Sequence, residues 1–517
     1  MPPPNDSDHG PERYLKVDHL TGDLRGRSVR GGALTIGNQG AKFILTLVSI
    51  AVLARVLTPE DFGLIAMVMA IIGFIATFKD MGLAMATVQR HDITHAQVST
   101  LFWINLGASL LIMAATAAAA PLFAWLYDEP RVRAITVALA ATVIFSGLIV
   151  QHQALLRRQM RFGAIAVIEI TAMTIGLMTA VLCALSGLGY WSLVLMPIVK
   201  EIVTAAGVWI ACGWRPGRPA RRSGVRVLLS FGVHLTGFNL LNYFARNLDK
   251  VLIGRYYGAS PAGLYSKAYQ LVLLPIQQIG VPLTAVAVPT LSRLQNQMER
   301  FRAYYRRGVL LAVTAGMPII AFLFVDANRA VLTVLGDQWL ESVAIFRVLA
   351  PAAFFGTFNV ATGWVYIALG QTRRQFSWGI FSSAFTITAF ALGLRWGSIG
   401  VGAAFSCAVV ILRLPAIVYC FRHTPLGLSD FFAAVWRPFI ASIAAGAALY
   451  TVSLGFNPPL AVAARLVLDF VLYLVFYALI WIGLPRGRRS VRDLVDLARD
   501  LRPARPAVAD ETPEPLH

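Results

Sequence analysis

The chain has 517 residues, of which 57% are hydrophobic and 14% charged, and its mean hydropathy is +0.66. A soluble globular protein carries roughly 45–50% apolar and about 25% charged residues, so this composition excludes an ordinary soluble domain. The formal net charge of +19 is spread over short loops between apolar blocks. Because it forms no continuous polar surface, nucleic acid is not expected as a partner.

The polar segment at the start of the chain, residues 1–30, lacks the basic-then-apolar pattern of a cleavable signal peptide. We expect it to be a disordered cytoplasmic tail that precedes the first membrane span. The four cysteines, Cys183, Cys212, Cys407 and Cys420, lie in or beside apolar blocks, without the spacing of a metal site or a disulfide framework. The sequence therefore predicts no metal and no cofactor.

The apolar blocks predict an all-α polytopic membrane protein, because each is long enough for a helix that crosses a bilayer, which takes about 20 residues. In chain order the predicted spans are 33–54, 62–80, 98–120, 134–153, 164–185, 189–211, 230–253, 262–290, 309–333, 343–369, 376–395, 398–421, 432–454 and 461–483. The total is about 14 transmembrane helices.

Lysine and arginine are distributed unevenly between the loops. Roughly 25 fall in the two tails and in alternate loops, and roughly six fall in the opposite loops. Positive residues stay on the cytoplasmic side, so both termini are expected in the cytoplasm. Aromatic residues collect at membrane interfaces. This predicts five at the outer interface, Trp125, Tyr127, Tyr190, Trp191 and Trp339, and two at the inner one, Trp214 and Trp481, although each could instead be an ordinary packing residue.

An internal repeat links the first and seventh spans. Arg55 precedes Gly63 and Leu64 just as Arg255 precedes Gly263 and Leu264, at an offset of 200 residues. The two units start six helices apart and run in the same direction, and such parallel repeats enclose a substrate site between two halves. The repeat predicts two pseudo-symmetric six-helix lobes followed by a C-terminal pair of helices.

The predicted division of the chain follows from these spans. Residues 1–30 are a cytoplasmic tail, 31–213 the N-lobe with six helices, 214–228 a basic cytoplasmic linker, 229–424 the C-lobe with six helices, 425–484 the last two helices, and 485–517 a second cytoplasmic tail.

Polar side chains recur inside the apolar spans. An ionisable residue at the centre of a membrane helix costs about 2.5–3.5 kcal/mol on insertion scales and normally faces a water-filled cavity. The spacing places one set on a single face of the seventh span and a second set on a single face of the first: Asn239, Asn242, Arg246, Asp249 and Lys250, and Asn38, Gln39 and Lys42. Arg246, Asp249 and Lys250 could instead form a structural ion-pair cluster near the outer end.

The eighth span continues the theme. Gln270 and Gln277 share one face, and Lys267 lies beside it. Prolines recur every seven residues, at Pro275, Pro282 and Pro289. Proline removes a backbone hydrogen bond and kinks a helix, so this span is either a bent gating helix or a statically kinked one.

Further charges lie in other spans. Asp469 is expected to pair with Arg465 one turn away, and Lys200 with Glu201. Glu169 and Arg413 could face either a cavity or a structural partner. The predicted interior is cationic, with Lys42, Arg246, Lys250, Lys267 and Arg413, and suits an anionic group such as a diphosphate. A pump for cationic drugs would instead present acidic groups.

Several motifs resemble a known family. The run from Leu53 to Leu64 is similar to the first loop of Wzx-type polysaccharide exporters, and the runs Arg246 to Arg255 and Gly263 to Leu271 to their WzxC/teichuronic-acid-exporter branch within the MOP superfamily. The stretches from Ser99 to Trp103 and from Pro289 to Gln295 also fit. The resemblance covers roughly residues 30–425, in contrast to the last two helices, which match only in hydropathy.

The resemblance implies a fourteen-helix MOP flippase fold and a function in cell-surface polysaccharide biosynthesis. The implied substrate is an undecaprenyl-diphosphate-linked oligosaccharide, moved between leaflets of a bacterial inner membrane by alternating access. It implies no catalytic residues, because no covalent chemistry occurs, and its candidate residues are those of the seventh- and eighth-span motifs. Membrane lipids, a polysaccharide polymerase and glycosyltransferases are the expected partners, and one chain supplies both lobes of a functional monomer.

Two other functions stay open at this point. A multidrug antiporter of the same superfamily would place a dominant acidic residue in the cavity. A non-transporting scaffold of a glycan-assembly complex would work without Lys42 or Lys250. An enzyme is not expected, since membrane glycosyltransferases and ligases carry catalytic acids on large loops and no outer loop here is long enough.

Overall fold

The structure, a computed structural model, describes residues 24–76, 87–88, 93–220, 247–455, 458–485 and 487–488. These residues fold into helices and connecting turns. The helices of the first half are α1 (Leu24–Val56), α2 (Pro59–Ala76), α3 (His95–Tyr127), α4 (Arg131–Ala140), α5 (Thr142–Arg158), α6 (Phe162–Leu185) and α7 (Trp191–Cys212). Helix α1 begins at Leu24, inside the segment that the sequence assigned to the tail.

The second half is equally helical. Its helices are α8 (described over 247–257), α9 (Ala259–Arg293), α10 (Met298–Val325), α11 (Ala327–Val334), α12 (Ser342–Gly356), α13 (Asn359–Ala368), α14 (Thr372–Gly393), α15 (Gly397–Phe421), α16 (Leu428–Gly455) and α17 (Val462–Gly483). Short 3-10 turns lie at Asp337–Trp339 and Leu394–Trp396.

The helices match the predicted spans. Within the described residues, 11 stretches are long and apolar enough to cross a membrane. One of them, residues 372–421, is two helices, because Gly397 takes a positive φ of 71° between α14 and α15. The predicted second and seventh spans are not among the 11. The described residues end at 76 within the second span and begin again at 247 within the seventh. Adding these two spans to the 12 described crossings accounts for the fourteen-helix fold.

Two predicted spans are interrupted where the sequence suggested continuous helices. The fourth divides between α4, which ends at Ala140, and α5, which begins at Thr142. The tenth divides between α12, which ends at Gly356, and α13, which begins at Asn359. These are the fourth helix of each lobe. Both breaks are slight, because Ala141 and Thr357 keep right-handed helical φ and ψ values, and each pair of helices forms one membrane span.

The helices form two lobes and a C-terminal pair. In the N-lobe, α6 packs against both α1 and α7, and in the C-lobe α15 packs against both α12 and α14. The pair α16 and α17 packs against α10 and α11. The N-lobe and C-lobe meet chiefly where α2 runs along α9.

Charged residues attach the last helix to the C-lobe. Arg465 and Asp469 form the ion pair expected from their spacing, with 2.9 Å between Nε and Oδ2, and both are buried. Asp469 also binds Arg329 at 3.2 Å, and Arg329 binds Asp326 at 2.7 Å. Because opposite charges compensate one another when they leave water together, this chain of four groups can lie between α11 and α17.

The repeated glycines make the contact between lobes. A Cβ added to Gly63 would lie 1.7 Å from the carbonyl oxygen of Ala259, and a Cβ added to Gly263 would lie 1.8 Å from that of Pro59. The contact is reciprocal at the same 200-residue offset as the repeat, so a pseudo-two-fold axis passes between the two glycines. Any side chain would hold the two backbones apart, and only glycine permits this approach.

Polar contacts from the C-lobe cap the end of α1 beside this crossing. The Trp339 indole donates to the carbonyl oxygen of Ala54 at 2.8 Å, and the Gln338 amide donates to that of Leu57 at 3.0 Å. Arg55 donates to the carbonyl oxygen of Thr333 at 2.8 Å. The last carbonyls of a helix lack partners within it, and here the opposite lobe supplies them. We call this end of the molecule, with the turns at 57–58, 258 and 335–341, the closed end.

The first turn of α2 is held at the closed end by Arg131. Its guanidinium lies 2.5 Å from Glu60 and 2.8 Å from Glu129. The hydrogen bond from Arg131 lowers the pKa of Glu129 below its ordinary value. The N-lobe therefore presents α2 to the crossing from a fixed position.

Three of the tryptophans predicted at membrane interfaces are buried within the protein. Trp339 packs edge-on against Phe62 under the crossing, with ring centroids 5.4 Å apart. Trp214 is buried and donates to His95 at 3.0 Å, and Trp481 is buried against Tyr477. Their depth at the membrane interfaces stays a prediction, because burial shows only which side of a helix faces the protein.

Substitution of the crossing glycine tests the packing of the lobes. Gly63→Ala would insert a methyl group against the Ala259 carbonyl, and overpacking of this kind typically costs about 1–3 kcal/mol. We expect a lower unfolding temperature in detergent for Gly63→Ala and for Gly263→Ala. The matched control is Gly107→Ala, whose added Cβ would contact nothing within 4 Å; equal unfolding temperatures for all three variants would contradict the glycine crossing.

Candidate functional site

A polar cluster lies one to two turns below the crossing, on α8 and α9. Lys250 donates to the side-chain oxygen of Asn247 at 3.3 Å, and its ammonium lies 5.2 Å from the ring centre of Tyr269. The neighbouring Asp249 is buried and accepts a hydrogen bond from the Tyr265 hydroxyl at 2.9 Å. The Asp249 and Lys250 side chains thus have separate partners instead of pairing with each other.

Lys267 joins this cluster to the N-lobe. Its ammonium lies 4.1 Å from the ring centre of Phe62 on α2, and it donates to Gln270 at 3.0 Å. A cation over an aromatic face contributes about 0.5–2 kcal/mol, depending on how far it is desolvated. We call Lys250 and Lys267 the roof cations, because they lie directly below the crossing of the lobes. Gln270 is the amide partner of Lys267.

In the N-lobe, Lys42 is neutralised. Its ammonium lies 2.9 Å from Glu169 on α6, and the Asn38 amide donates to the same carboxylate oxygen at 2.8 Å. The side chains of Lys42 and Glu169 are 35% and 26% exposed, so the pair is partly solvated. Glu169, which the sequence left undecided, is the partner of Lys42, and Lys42 is not a free cation of the interior.

A second contact between the lobes lies deeper. The Gln39 amide donates to the side chain of Gln278 on α9 at 3.3 Å. Gln278 lies 15 residues beyond Gly263, roughly 22 Å along a helix that rises 1.5 Å per residue. The sequence had selected Gln277 on this helix; Gln277 is exposed, and its neighbour makes the contact with α1.

Arg413 lies apart from the roof, within the C-lobe. It donates to the side-chain oxygen of Asn359, the first residue of α13, and its guanidinium lies 5.6 Å from the ring centre of Phe358. It lines a cavity of about 730 Å³ between α13, α14 and α15. The structure therefore does not bring Arg413 together with Lys250 and Lys267.

The remaining predicted residues divide into two groups. Asn239, Asn242 and Arg246 lie outside the described residues. Pro275, Pro282 and Pro289 all lie within α9, which is helical from Ala259 to Arg293; their role in gating stays a prediction. Sequence reasoning missed Asn359, Gln338 and Gln278, because a single polar residue beside a turn or next to a chosen neighbour carries no periodic signal.

The charges of the interior are unevenly matched. Among the described residues, Glu169 pairs with Lys42, Glu201 with Lys200, and Asp430 with Arg302. Lys250, Lys267 and Arg413 form no ion pair within that same part of the chain. These three cations are all in the C-lobe, which also contains the buried carboxylate of Asp249, bonded to Tyr265.

Comparison with known proteins places the chain in a family. A family model described as "Polysaccharide biosynthesis protein" matches residues 52–344, more than half of the chain. The chain belongs to this polysaccharide biosynthesis protein family. Among its relatives, the lipopolysaccharide biosynthesis protein WzxC of Escherichia coli (strain K12) is 26% identical over 410 residues, 77% of this chain and 82% of the relative. The succinoglycan biosynthesis transport protein ExoT of Rhizobium meliloti (strain 1021) is 27% identical over 493 residues, 92% and 96% of the two chains.

Solved structures give the fold of this family member. The inward closed conformation of the lipid II flippase MurJ has a TM-score of 0.69 at 14% identity, over 88% of this chain and 99% of that one. An inward-facing multidrug resistance transporter of the MATE family in the MOP superfamily has a TM-score of 0.59 at 12% identity, over 73% and 93%. The chain is a multi-pass inner-membrane protein with the MOP fold, as the resemblance implied.

A double-mutant cycle tests the pair in the N-lobe. Residues in direct contact show coupling energies of about 0.5–3 kcal/mol, so Lys42→Met and Glu169→Gln should each lower stability, and the double variant should recover part of the loss. The measurement is thermal or denaturant unfolding of all four proteins in the same detergent.

Lys200 and Glu201 serve as the matched control cycle. They are adjacent in sequence, and their charged atoms are 3.8 Å apart, so their coupling should be smaller. Strictly additive effects of Lys42→Met and Glu169→Gln would contradict a stabilising pair.

Proposed function

We propose that this protein is a flippase for a lipid-linked oligosaccharide, an undecaprenyl-diphosphate-linked glycan used in cell-surface polysaccharide biosynthesis. It moves the lipid from the inner to the outer leaflet of the inner membrane by alternating access. Family membership supports a role in polysaccharide biosynthesis, and the two similar structures described above are of a lipid II flippase and a multidrug resistance transporter.

The observation that carries the proposal is the charge of the C-lobe. Lys250, Lys267 and Arg413 are embedded cations without an ion-pair partner among the described residues. Embedded charges are costly and mark pathways in transporters, and lysine and arginine bind phosphate through charge-assisted hydrogen bonds. A diphosphate would neutralise Lys250 and Lys267, which lie together below the crossing of the lobes. A multidrug antiporter for cations would need the reverse, an excess of embedded acidic residues. Asp249 is an embedded acid without an ion pair among the described residues, but it is buried against the Tyr265 hydroxyl and is outnumbered by the three cations.

The transported head group would lie between the lobes. In the proposed site the roof cations Lys250 and Lys267 bind the diphosphate from the C-lobe, with Arg246 on the same predicted helix face. Lys42, already neutralised by Glu169, contributes polarity together with Asn38 instead of net charge. The prenyl tail stays in lipid, so only the polar head needs to pass below the crossing.

The lobes then separate at the closed end. The glycine crossing and the caps on α1 are the contacts that must break, and the Lys267 ammonium would leave the ring of Phe62 at the same step. The lobes would part there as rigid bodies, with the rings of Phe62 and Trp339 separating at the same step. We infer that transport needs no covalent chemistry and that one chain suffices.

We also propose the orientation. The loops rich in lysine and arginine lie opposite the closed end, so the positive-inside rule would place both termini in the cytoplasm and the closed end at the periplasmic face. Outward movement of a diphosphate would then be favoured by about 2.3 kcal/mol per charge per 100 mV of inside-negative potential. A polysaccharide polymerase and glycosyltransferases are the proposed partners on either side of this step.

Transport in proteoliposomes tests the proposal. Lys250→Gln and Lys267→Gln remove one roof cation each, and we expect each to lower the rate of leaflet-to-leaflet movement of an undecaprenyl-diphosphate-linked oligosaccharide by tenfold or more. Tenfold corresponds to about 1.4 kcal/mol, within the strength of one charge-assisted hydrogen bond.

The control is Lys200→Gln, an embedded lysine of the N-lobe that already has Glu201 beside it. Its rate should match that of the unchanged protein. Full transport by both roof variants would show that the cations do not bind the substrate, whereas an unchanged protein that moves no such lipid would contradict the flippase function itself.

A further inference from the structure

The cavity of about 730 Å³ in the C-lobe is separate from the contact between the lobes. It lies between α13, α14 and α15, and Thr284 of α9 contributes to its wall. Ligand pockets in proteins are typically about 300–1,000 Å³, so this one could hold the head group of a lipid. None of the roof cations lines it.

One guanidinium marks the polar part of the cavity. Arg413 has one nitrogen bonded to Asn359, whereas its buried Nε has no hydrogen-bond partner. A buried donor on a charged group that stays unsatisfied is costly. The first turn of α13 begins at Asn359, and the positive end of its helix dipole points to the same place. Both features favour an anion beside Arg413.

The rest of the wall is amphipathic. Aromatic and polar residues line it: Trp364, Tyr366, Trp378, Gln375, Thr362, Ser382, Ser383 and Thr386. The Trp378 ring stacks on the Tyr419 ring, with ring centroids 5.5 Å apart. The Arg374 guanidinium lies over the Tyr419 ring, 4.9 Å from its centroid. Aromatic faces combined with hydroxyl and amide groups fit the faces and hydroxyls of a sugar or another polyol.

The rim differs from the interior of the cavity. Ile367, Ile380 and Ile387 line it and are 47%, 51% and 38% exposed. In a membrane protein such side chains face lipid, so an acyl or prenyl chain could leave the cavity past them. Gly363 and Gly379 also line the cavity, and a Cβ at either would meet nothing within 4 Å. Unlike Gly63, these glycines leave space that no packing requires.

We propose that this cavity, which we call the Arg413 cavity, binds the phosphate-bearing head of a lipid. Arg413 holds the phosphate, the wall around Trp378 receives the polar group attached to it, and the hydrocarbon chain passes over the isoleucine rim. The identification of this ligand as the transported prenyl-diphosphate lipid rests on the proposed function. The phosphate chemistry itself would suit an anionic phospholipid of the membrane equally well.

Equilibrium lipid binding tests the cavity without any transport step. The full-length protein in phosphatidylcholine nanodiscs is titrated with undecaprenyl diphosphate, with phosphatidylglycerol, and with undecaprenol, which lacks phosphate. Bound lipid is counted by native mass spectrometry. Arg413→Gln removes the charge, Gly379→Phe fills the cavity while keeping Arg413, and Arg395→Gln removes an exposed arginine of the same lobe as a matched control.

We expect Arg413→Gln and Gly379→Phe each to weaken binding of at least one phosphate-bearing lipid by tenfold or more. Arg395→Gln should bind like the unchanged protein, and undecaprenol should bind equally to Arg413→Gln and to the unchanged protein. The lipid whose binding weakens more identifies the ligand: undecaprenyl diphosphate would point to the transported lipid, and phosphatidylglycerol to a phospholipid of the membrane.

Unchanged binding of both phosphate-bearing lipids to Gly379→Phe would overturn the proposal, as would their unchanged binding to folded Arg413→Gln. If Arg413→Gln does not fold, the binding result for Gly379→Phe decides the question by itself, since the added phenylalanine side chain enters open space. A negative result leaves the transport experiment on Lys250 and Lys267 unaffected, so failure of the cavity and failure of the flippase function are distinguishable.

Discussion

The approach of two helix backbones at Gly63 and Gly263 is the constraint on which the rest of the structure depends. Each glycine faces the carbonyl that precedes its partner by four residues, so the contact is its own image under the repeat. With α2 and α9 this close, the end of α1 lies within reach of Gln338 and Trp339, and Phe62 lies under the Lys267 ammonium. A methyl group at either glycine would disturb all of these contacts together.

Around this symmetric contact the two lobes differ in charge. The N-lobe compensates Lys42 with Glu169, whereas Lys250, Lys267 and Arg413 of the C-lobe form no ion pair among the described residues and have aromatic rings and amides as contacts. Rings and amides stabilise a cation without neutralising it. An anionic head group could therefore bind mainly to one lobe and be released when the other lobe moves away.

The C-terminal pair of helices illustrates what local spacing can predict. The pair Arg465 and Asp469 follows from the helical repeat, because residues four apart lie on one face. Arg329 and Asp326 join them from helices distant in the chain, and no local pattern could have indicated that. The same contrast explains Trp339, which lies near the end of a span as predicted and is nevertheless buried, since only packing decides which side of a turn faces the protein.

The sequence by itself determined that the protein lies in a membrane, that it is helical, where its spans lie and that it contains a repeat. Hydrophobic length and residue spacing are local properties, and the bilayer thickness and the helical period relate them directly to structure. The sequence also located charged residues inside the spans, and their role in binding stays a prediction. Only the tertiary structure decided which of them are paired. Lys42 and Glu169 are 127 residues apart, and Arg413 meets Asn359 across 54. Such contacts depend on how whole helices pack, and the free energy of packing is summed over many side chains that no single motif contains.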